Sequence, residues 1–392
     1  MSKVMIVLVS AQRMQNIIPV YQEDMGLDDS IVPIISKKGD DFDSFFVKVY
    51  RQIQDALRDK VRALDEQLTN SVRPMFPADT RAVCDRLLNR FADREVIINF
   101  TGGLKPMAIG AFLAGEACAR MMYVDTENEQ LLTFEPNDQV SVERFNEHVA
   151  AINAEVYLLA HGKKLDLARI RQNAFSETDL QAGFRLGQIL DQSIPFFDIL
   201  RTVGSAHFSR RRGQAKQQSL GVPLNELGHV PCDVFDIICP QYATLEHRSG
   251  GDVLVVHPGS QWNFLTGGWF EAYVYRVLRD SNLFHDVRSR VYLEGMPDDL
   301  DAVCVYNARL AILECKSGGE RRGRQAPLHR LNMLQGSLAG IFGKGIFVTS
   351  RRCQELGSRF LERAKETRTK VIDLPQLPSL AEEVHQRLKE PR

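Results

Sequence analysis

Charged side chains that interrupt apolar runs are the residues best placed to do chemistry, and this chain gathers them between Asp301 and Lys316. Asp301 opens one apolar run, Glu314 and Lys316 close another, and a polar turn at Asn307-Ala308-Arg309 joins the two. Val303 and Val305, then Ala311 and Leu313, alternate as β-strands require, so the stretch reads as a hairpin. On the second strand Glu314 and Lys316 share a face and Cys315 points to the opposite layer. Folding the hairpin brings Asp301 beside that pair. Two carboxylates and an ammonium are costly to place against an apolar sheet. A hard divalent cation held by oxygen ligands would offset the cost, leaving the lysine to assist a bound water.

A further carboxylate precedes this hairpin. In Gly267-Gly-Trp-Phe-Glu271 and onward to Leu278, Phe270, Val274, Val277 and Leu278 recur with helical spacing, and Glu271 lies in the first turn. Taken alone, a glutamate there is what the helix macrodipole favours. A second chemically suggestive stretch lies near the amino terminus. Lys3 to Val9 is a continuous apolar run of the kind buried in parallel sheets, and it gives way abruptly to Ser10, Gln12 and Asn16. Glu95 to Phe100 repeats the pattern and runs into Thr101-Gly102-Gly103-Leu104-Lys105-Pro106-Met107, ahead of an alanine-rich helix through Cys118. Both runs read as strands of one sheet, so the loops at their carboxyl ends can meet over one crevice. Two glycines let backbone amides approach an anion, a helix amino terminus adds its dipole, and Lys105 adds charge. The spacing is too short for a Walker A loop.

The elements that position these residues describe an α/β protein. A helix carrying Phe46, Val49, Tyr50, Ile53, Leu57, Val61 and Leu64 on one face follows the turn near Asp40, and strands Met121–Val124 and Leu131–Phe134 follow the alanine-rich helix. After the hairpin, a helix over Met333–Phe342, a strand over Gly345–Val348 and a helix over Arg352–Thr367 complete a second α/β layer structure. Residues 320–370 hold 12 Lys/Arg against 4 Asp/Glu, and Arg321, Arg322, Arg324 and Arg330 follow directly on the Glu-x-Lys strand. A one-sided basic rim beside carboxylates suits a polyanionic substrate. Between the two parts, Ser176 to Asp179 forms a capping box opening a helix through Leu190, and Arg210 to Lys216 is a basic loop able to touch phosphates. Cys232, Cys239, His229 and His247 lack metal-ligand spacing and read as structural.

Composition narrows the class. At 392 residues the chain suits two domains and a connector, and 44% hydrophobic with 25% charged residues is ordinary for a globular protein. The net charge of −1 excludes a simple nucleic-acid coat. Seven cysteines without CxxC spacing point to a reducing cytoplasm rather than to zinc or disulfides, and no apolar run or signal peptide suggests a membrane.

The order helix-Glu271, strand-Asp301 and strand-Glu314-Cys315-Lys316 resembles the PD-(D/E)xK restriction-endonuclease-like nucleases. More closely, Gly-Gly-Trp-Phe-Glu271, Asp299-Leu300-Asp301 and Ile312-Leu-Glu-Cys-Lys-Ser317 resemble CRISPR ancillary nucleases that carry a CARF (CRISPR-associated Rossmann fold) sensor. Asn99 to Met107 is similar to the CARF signature, and Ser10, Gln12 and Asn16 to the first CARF loop. The resemblance implies a Rossmann-like CARF domain over residues 1–150, a connector over 151–250 and a restriction-endonuclease-like α/β domain over 251–392. It implies a cyclic oligoadenylate activator, cyclic tetra-adenylate foremost, bound by Ser10, Gln12, Asn16, Thr101, Gly102, Gly103, Lys105 and Met107. Glu271, Asp301, Glu314 and the Cys315 carbonyl would hold Mg²⁺ or Mn²⁺, and Lys316 would orient or deprotonate the attacking water. The substrate would be DNA, RNA or both, gripped by Arg321, Arg322 and Arg324. A messenger with its own symmetry implies a homodimer. Two rival readings stay open: a stand-alone DNA repair or restriction endonuclease, and a ligand-responsive regulator whose nuclease domain is inactive.

Overall fold

The computed structural model describes residues 1–390 apart from 40, 64–69, 137–138, 210–218, 229, 258, 319–325, 339 and 341, and for residues 42 and 205–209 the backbone alone. Arg321, Arg322 and Arg324, the basic loop Arg210 to Lys216, His229, Asp40 and Leu64 therefore lie outside the described residues.

The amino-terminal half is organised by β1 (Lys3–Leu8), whose apolar run is wholly buried because helices cover both of its faces. It is followed by α1 (Met14–Gln22), β2 (Ser30–Lys38), β3 (Asp41–Phe42), α2 (Ser44–Leu57), β4 (Arg62–Ala63) and β5 (Ser71–Val72). Then come α3 (Pro77–Arg90), β6 (Glu95–Asn99), α4 (Lys105–Gly115), β7 (Arg120–Asp125), β8 (Gln130–Phe134) and β9 (Val140–Arg144). The sheet order is β3-β2-β1-β6-β7-β8-β9, with β4 and β5 also paired to β2. β2, β1, β6 and β7 run parallel, and β7, β8 and β9 form an antiparallel meander. β1 and β6 are adjacent, so the loops leaving their carboxyl ends share one rim. The helix from Ser44 stops at Leu57, short of the expected Leu64. Val61 is still buried, but in the turn before β4.

The middle of the chain supplies α5 (Glu147–Ala150), α6 (Ala154–Ala160), α7 (Leu167–Asn173), α8 (Glu177–Gln188) and α9 (Leu190–Ser209). α8 opens with the expected capping box, in which Asp179 N–H donates to Ser176 Oγ at 3.1 Å and Ser176 N–H donates back to Asp179 at 3.0 Å. β10 (Leu220–Pro223), α10 (Leu224–Leu227), α11 (Cys232–Ile238), β11 (Ala243–Arg248) and β12 (Gly251–Val256) follow. β12 pairs with both β10 and β11 in a small antiparallel sheet of three strands.

The last part contains α12 (Ser260–Asn263), a π-helical turn (Phe264–Gly268), α13 (Trp269–Asp280), β13 (Asp286–Val291), β14 (Leu300–Tyr306) and β15 (Arg309–Lys316). It ends with α14 (Ala326–Leu338), β16 (Lys344–Thr349), α15 (Cys353–Leu356), α16 (Ser358–Glu366), β17 (Lys370–Ile372) and α17 (Leu380–Lys389). The strand order is β13-β14-β15-β16-β17, antiparallel up to β15 and parallel beyond it. The hairpin β14–β15 turns on two residues with left-handed backbone, Asn307 (φ 45°) and Ala308 (φ 57°), the turn whose twist suits a tight hairpin. The single helix expected over Arg352–Thr367 is broken in two, because Gly357 adopts φ 84° between α15 and α16.

Strand alternation divides the core. Val303, Val305 and Ile312 face α14 and α16, in a cluster that continues through α6 to α1 and α2 of the first sheet. Ala302, Cys304, Leu313 and Cys315 face the other way, into a cluster built with α13, α8 and α17. A third cluster packs Val4, Ile6 and Leu8 against α3 and α4.

Candidate active site and ligand crevice

The register of β14 and β15 pairs Ala302 with Leu313, which sets Asp301 beside Glu314 at the open end of the hairpin. Asp301 and Glu314 side chains are only 7% and 5% exposed, so both charges need internal partners. They share one. The Lys316 ammonium lies 2.7 Å from Glu314 Oε1, 3.1 Å from the Cys315 carbonyl oxygen and 3.5 Å from Asp301 Oδ2. The Cys315 N–H donates to the same Asp301 oxygen, Oδ2, at 2.6 Å. Burial raises the Asp301 carboxyl to about 7 despite the lysine, with Glu314 and Glu271 adding to the rise. Burial alone would lower the lysine, but Asp301 and Glu314 outweigh it and hold Lys316 above its ordinary value. The Cys315 thiol is fully buried and pushed far up, so it packs and does not react.

Glu271 stands at the first turn of α13, immediately after the π-helical turn. Its carboxylate pairs with Arg290 Nε at 3.5 Å and makes no ion pair with Lys316. Its pKa is raised by burial, with Arg290 and Lys316 opposing and Asp299 reinforcing. Asp301, Glu314 and Lys316 are thus in direct contact, and Glu271 is their neighbour. Among the described residues no three His, Cys, Asp or Glu side chains meet closely enough to bind a metal.

The two loops at the ends of β1 and β6 do meet. Ser10, Gln12, Thr101 and Gly103 line a cavity of about 400 Å³ together with Gln15, Ser36, Phe46 and Tyr123. Gly103 has φ +70°, and a methyl group on Gly102 would collide with the Leu8 carbonyl, so both glycines are required by the turn. Thr101 Oγ1 accepts from the Val124 N–H at 2.8 Å and donates to Asn99 Oδ1 at 2.6 Å. Lys105 is exposed at the start of α4. Asn16 and Met107 sit differently from the other loop residues. Asn16 is fully buried, donating to the Leu8 carbonyl at 3.1 Å and accepting from Asn99 at the same distance. Met107 is buried against Ser36. Both underpin the crevice rather than line it.

Residues 260–390 match the family model described as the Card1-like endonuclease domain. Over those residues the carboxyl-terminal unit is similar to Card1-like endonuclease domains. No curated protein sequence matches the chain. Protein VC1899 from Vibrio cholerae superposes with a TM-score of 0.76 at 16% identity, over 99% of this chain and 98% of the other. Can2 from Sulfobacillus thermosulfidooxidans, solved with cyclic tetra-adenylate, gives 0.66 at 19% identity over 98% of both chains. A type III CRISPR defence DNA nuclease activated by cyclic oligoadenylate gives 0.53 at 16% identity, over 90% of this chain and 46% of that one. The shared fold is a mainly parallel α/β sheet unit followed by a second α/β unit built on a separate five-stranded sheet.

Several residues that hold this site in place were not legible as such in the sequence. Arg330, which the sequence places on the basic rim, turns inward from α14 and pairs with Glu314 Oε2 at 3.0 Å while donating to the Asp299 carbonyl. Arg201 on α9 donates to the Ser317 hydroxyl at 3.2 Å and the Ser317 carbonyl at 3.0 Å, fixing the residue after Lys316, and it is itself paired with Asp198. Arg309, 3% exposed, reaches from the hairpin turn to the Leu388 carbonyl at 2.7 Å and the Thr126 carbonyl at 2.6 Å. Asn307 Nδ2 donates to Glu129 at 2.6 Å. The hairpin that carries Glu314 is therefore bolted to the β7–β8 turn of the amino-terminal sheet. Only the third dimension reveals these arginines, whose partners lie up to 183 residues away.

Proposed function

We propose that the chain is a metal-dependent nuclease of type III CRISPR defence, acting in the cytoplasm and switched on by cyclic oligoadenylate, cyclic tetra-adenylate foremost. The observation that carries this reading is the convergence of Glu314, Asp301 and the Cys315 carbonyl on one cation, the Lys316 ammonium, within a Card1-like endonuclease domain. An all-oxygen set that already converges on positive charge, with one carboxyl driven up to about 7 by burial, has the chemistry of a Mg²⁺ or Mn²⁺ site. Asp301, Glu314 and the Cys315 carbonyl would hold the ion, with Glu271 completing the set from α13. When bound, the metal supplies Lewis-acid stabilisation of the scissile phosphate and a more acidic water. Lys316, held protonated by its two carboxylates, would donate to the phosphate or orient the water rather than accept a proton. Arg330 and Arg290 would keep Glu314 and Glu271 aimed inward. Arg321, Arg322 and Arg324, next in sequence, would hold the nucleic-acid backbone. Such a mechanism needs no 2′-hydroxyl, so DNA and single-stranded RNA are both admissible substrates.

The activator would bind the crevice of Ser10, Gln12, Thr101 and Gly103, with Gly102 shaping the turn and Lys105 at its mouth. Leu104, Ile109 and Leu113 expose 47%, 54% and 42% of their surface beside that mouth, an apolar face supporting a homodimer that sets two crevices together. The deciding experiment is a cleavage assay on single-stranded RNA, single-stranded DNA and plasmid with Mn²⁺ or Mg²⁺, with and without cyclic oligoadenylates of each size. Cleavage that needs both metal and messenger is the expected result. Cleavage indifferent to every messenger would favour the stand-alone endonuclease instead.

A further inference from the structure

Beside Glu271 lies a cavity of about 330 Å³ that the nuclease chemistry above does not use. Phe175 contributes the accessible aromatic ring, Tyr242 and Phe264 are buried in the wall behind it, and Gln172, Gln241 and Gln261 bring side-chain amides. Tyr242 and Phe264 are stacked in parallel, with ring centroids 4.3 Å apart. Arg290 joins this cavity to the active site. Its guanidinium lies 3.7 Å over the Phe175 ring, donates to the Asn173 carbonyl at 3.0 Å, and presents Nε to Glu271 at 3.5 Å. The one carboxylate in the wall, Asp179, is already engaged by Ser176 and by the Tyr242 hydroxyl at 2.8 Å.

We infer that this cavity receives one unpaired nucleobase of the substrate strand, beside the scissile phosphate. The inference rests on the nuclease reading. A flat, uncharged ring with a hydrogen-bonding edge matches a pocket that offers the Phe175 ring and several amides, because Gln presents a donor and an acceptor side by side. The arginine plane adds a stacking surface, as guanidinium groups do for splayed bases. A base held in a duplex cannot enter, so the pocket selects single-stranded segments. Because Arg290 lines the pocket and pairs with Glu271, the seated base is one side chain away from Glu271, and its identity biases the cut position. The pocket is shared between the end of α7 with the link into α8 and Gln241–Tyr242 on one side, and Ser260, Gln261, Phe264 and Arg290 of the carboxyl-terminal unit on the other, so the connector helps read the strand that this unit cuts.

The test uses the full-length protein with activator and calcium in place of magnesium or manganese, so that binding is read without turnover. Labelled single-stranded DNA oligonucleotides carry an abasic site moved one position at a time. One position should weaken binding about tenfold. The double variant Gln172→Ala/Gln241→Ala, altered only at exposed side chains, should narrow the gap between intact and abasic strands and lose discrimination between bases, and Phe175→Leu should narrow the gap further. Cut-site sequencing on a randomised strand should show a base preference in the wild type that the double variant loses. Uniform binding along the strand, or a preference that survives in the double variant, overturns the inference. The two readings fail separately: cleavage without any abasic effect removes the pocket alone, and an abasic effect without cleavage removes the nuclease reading while supporting the pocket.

Discussion

At the ends of β1 and β6 the chain offers solvent a set of hydroxyls, amides and one exposed lysine. At the ends of β14 and β15 it buries two carboxylates and closes them with an ammonium. Both sites lie at strand ends of α/β sheets, yet their energetics are opposite. The crevice is open and largely preformed by glycines, so a ligand meets donors that need little desolvation. The hairpin site carries unrelieved charge, visible in the raised Asp301 carboxyl, and is held together by cations from three elements: Lys316, Arg330 and Arg290. A sensor benefits from the first arrangement, and a site that must stay silent until loaded benefits from the second.

The largest break in this comparison should come from Lys316→Ala. With the carboxylates left in place, metal should still bind while turnover falls at least about 1,000-fold on RNA and DNA alike. Affinity of the crevice for cyclic tetra-adenylate, measured by calorimetry, should not move. Full RNA cleavage with DNA cleavage lost would mean a second active site.

Arg309→Ala should sever the two regions from each other. It removes a buried guanidinium from the Leu388, Thr126 and Glu127 carbonyls. Leaving those acceptors unmatched should cost on the order of 2–4 kcal/mol in denaturant unfolding. Messenger affinity should persist while activation of cleavage by messenger falls. Unaltered activation with reduced stability would restrict Arg309 to a structural bolt.

How much of this was open to inspection in the sequence follows from which forces act locally. The hairpin was legible because apolar alternation and a turn former fix strand register over a few residues, and register alone brings Asp301 to Glu314. The Gly102-Gly103 turn was legible for the same reason, since only glycine fits its backbone. Helix ends were less so. The run past Leu57 keeps helical spacing through Val61 although the chain turns there, and Gly357 divides a stretch whose periodicity is continuous. Hidden altogether were the ion pairs of Arg290, Arg309 and Arg330, because a surface arginine and a buried one look alike until topology supplies the partner. Asn16 is the converse. Its polarity suggested a ligand contact, and its burial shows a brace between β1 and β6.

A smaller effect should sharpen the sensor side. Lys105→Ala deletes an exposed charge at the start of α4, so messenger affinity should fall about tenfold with no change in melting temperature. A charge-assisted contact also weakens with salt, so the difference between variant and wild type should shrink as ionic strength rises. An affinity equal to the wild type at low salt would place the anion elsewhere in the crevice.

The subtlest test concerns the cost of the buried carboxylate. Asp301 titrates near 7 in the folded protein, against roughly 3.9 when unfolded. At pH 8 the group is ionised in both states, so the full cost of burying its charge is present without metal. As pH falls through 7 the folded state takes up a proton first, and the cost is progressively removed until the unfolded chain also protonates near pH 4. Asp301→Asn resembles the protonated form at every pH and keeps an acceptor for the Cys315 N–H. The variant should therefore be more stable than the wild type at pH 8 in chelator, by about 1 kcal/mol or more, with the gain shrinking toward zero near pH 4. Saturating Mn²⁺ should reverse the order, because only the wild type gains the binding free energy. A variant less stable than the wild type at pH 8 in chelator would show that the Lys316 pair outweighs desolvation, and that this site resembles the rest of the sheet more than its burial implies.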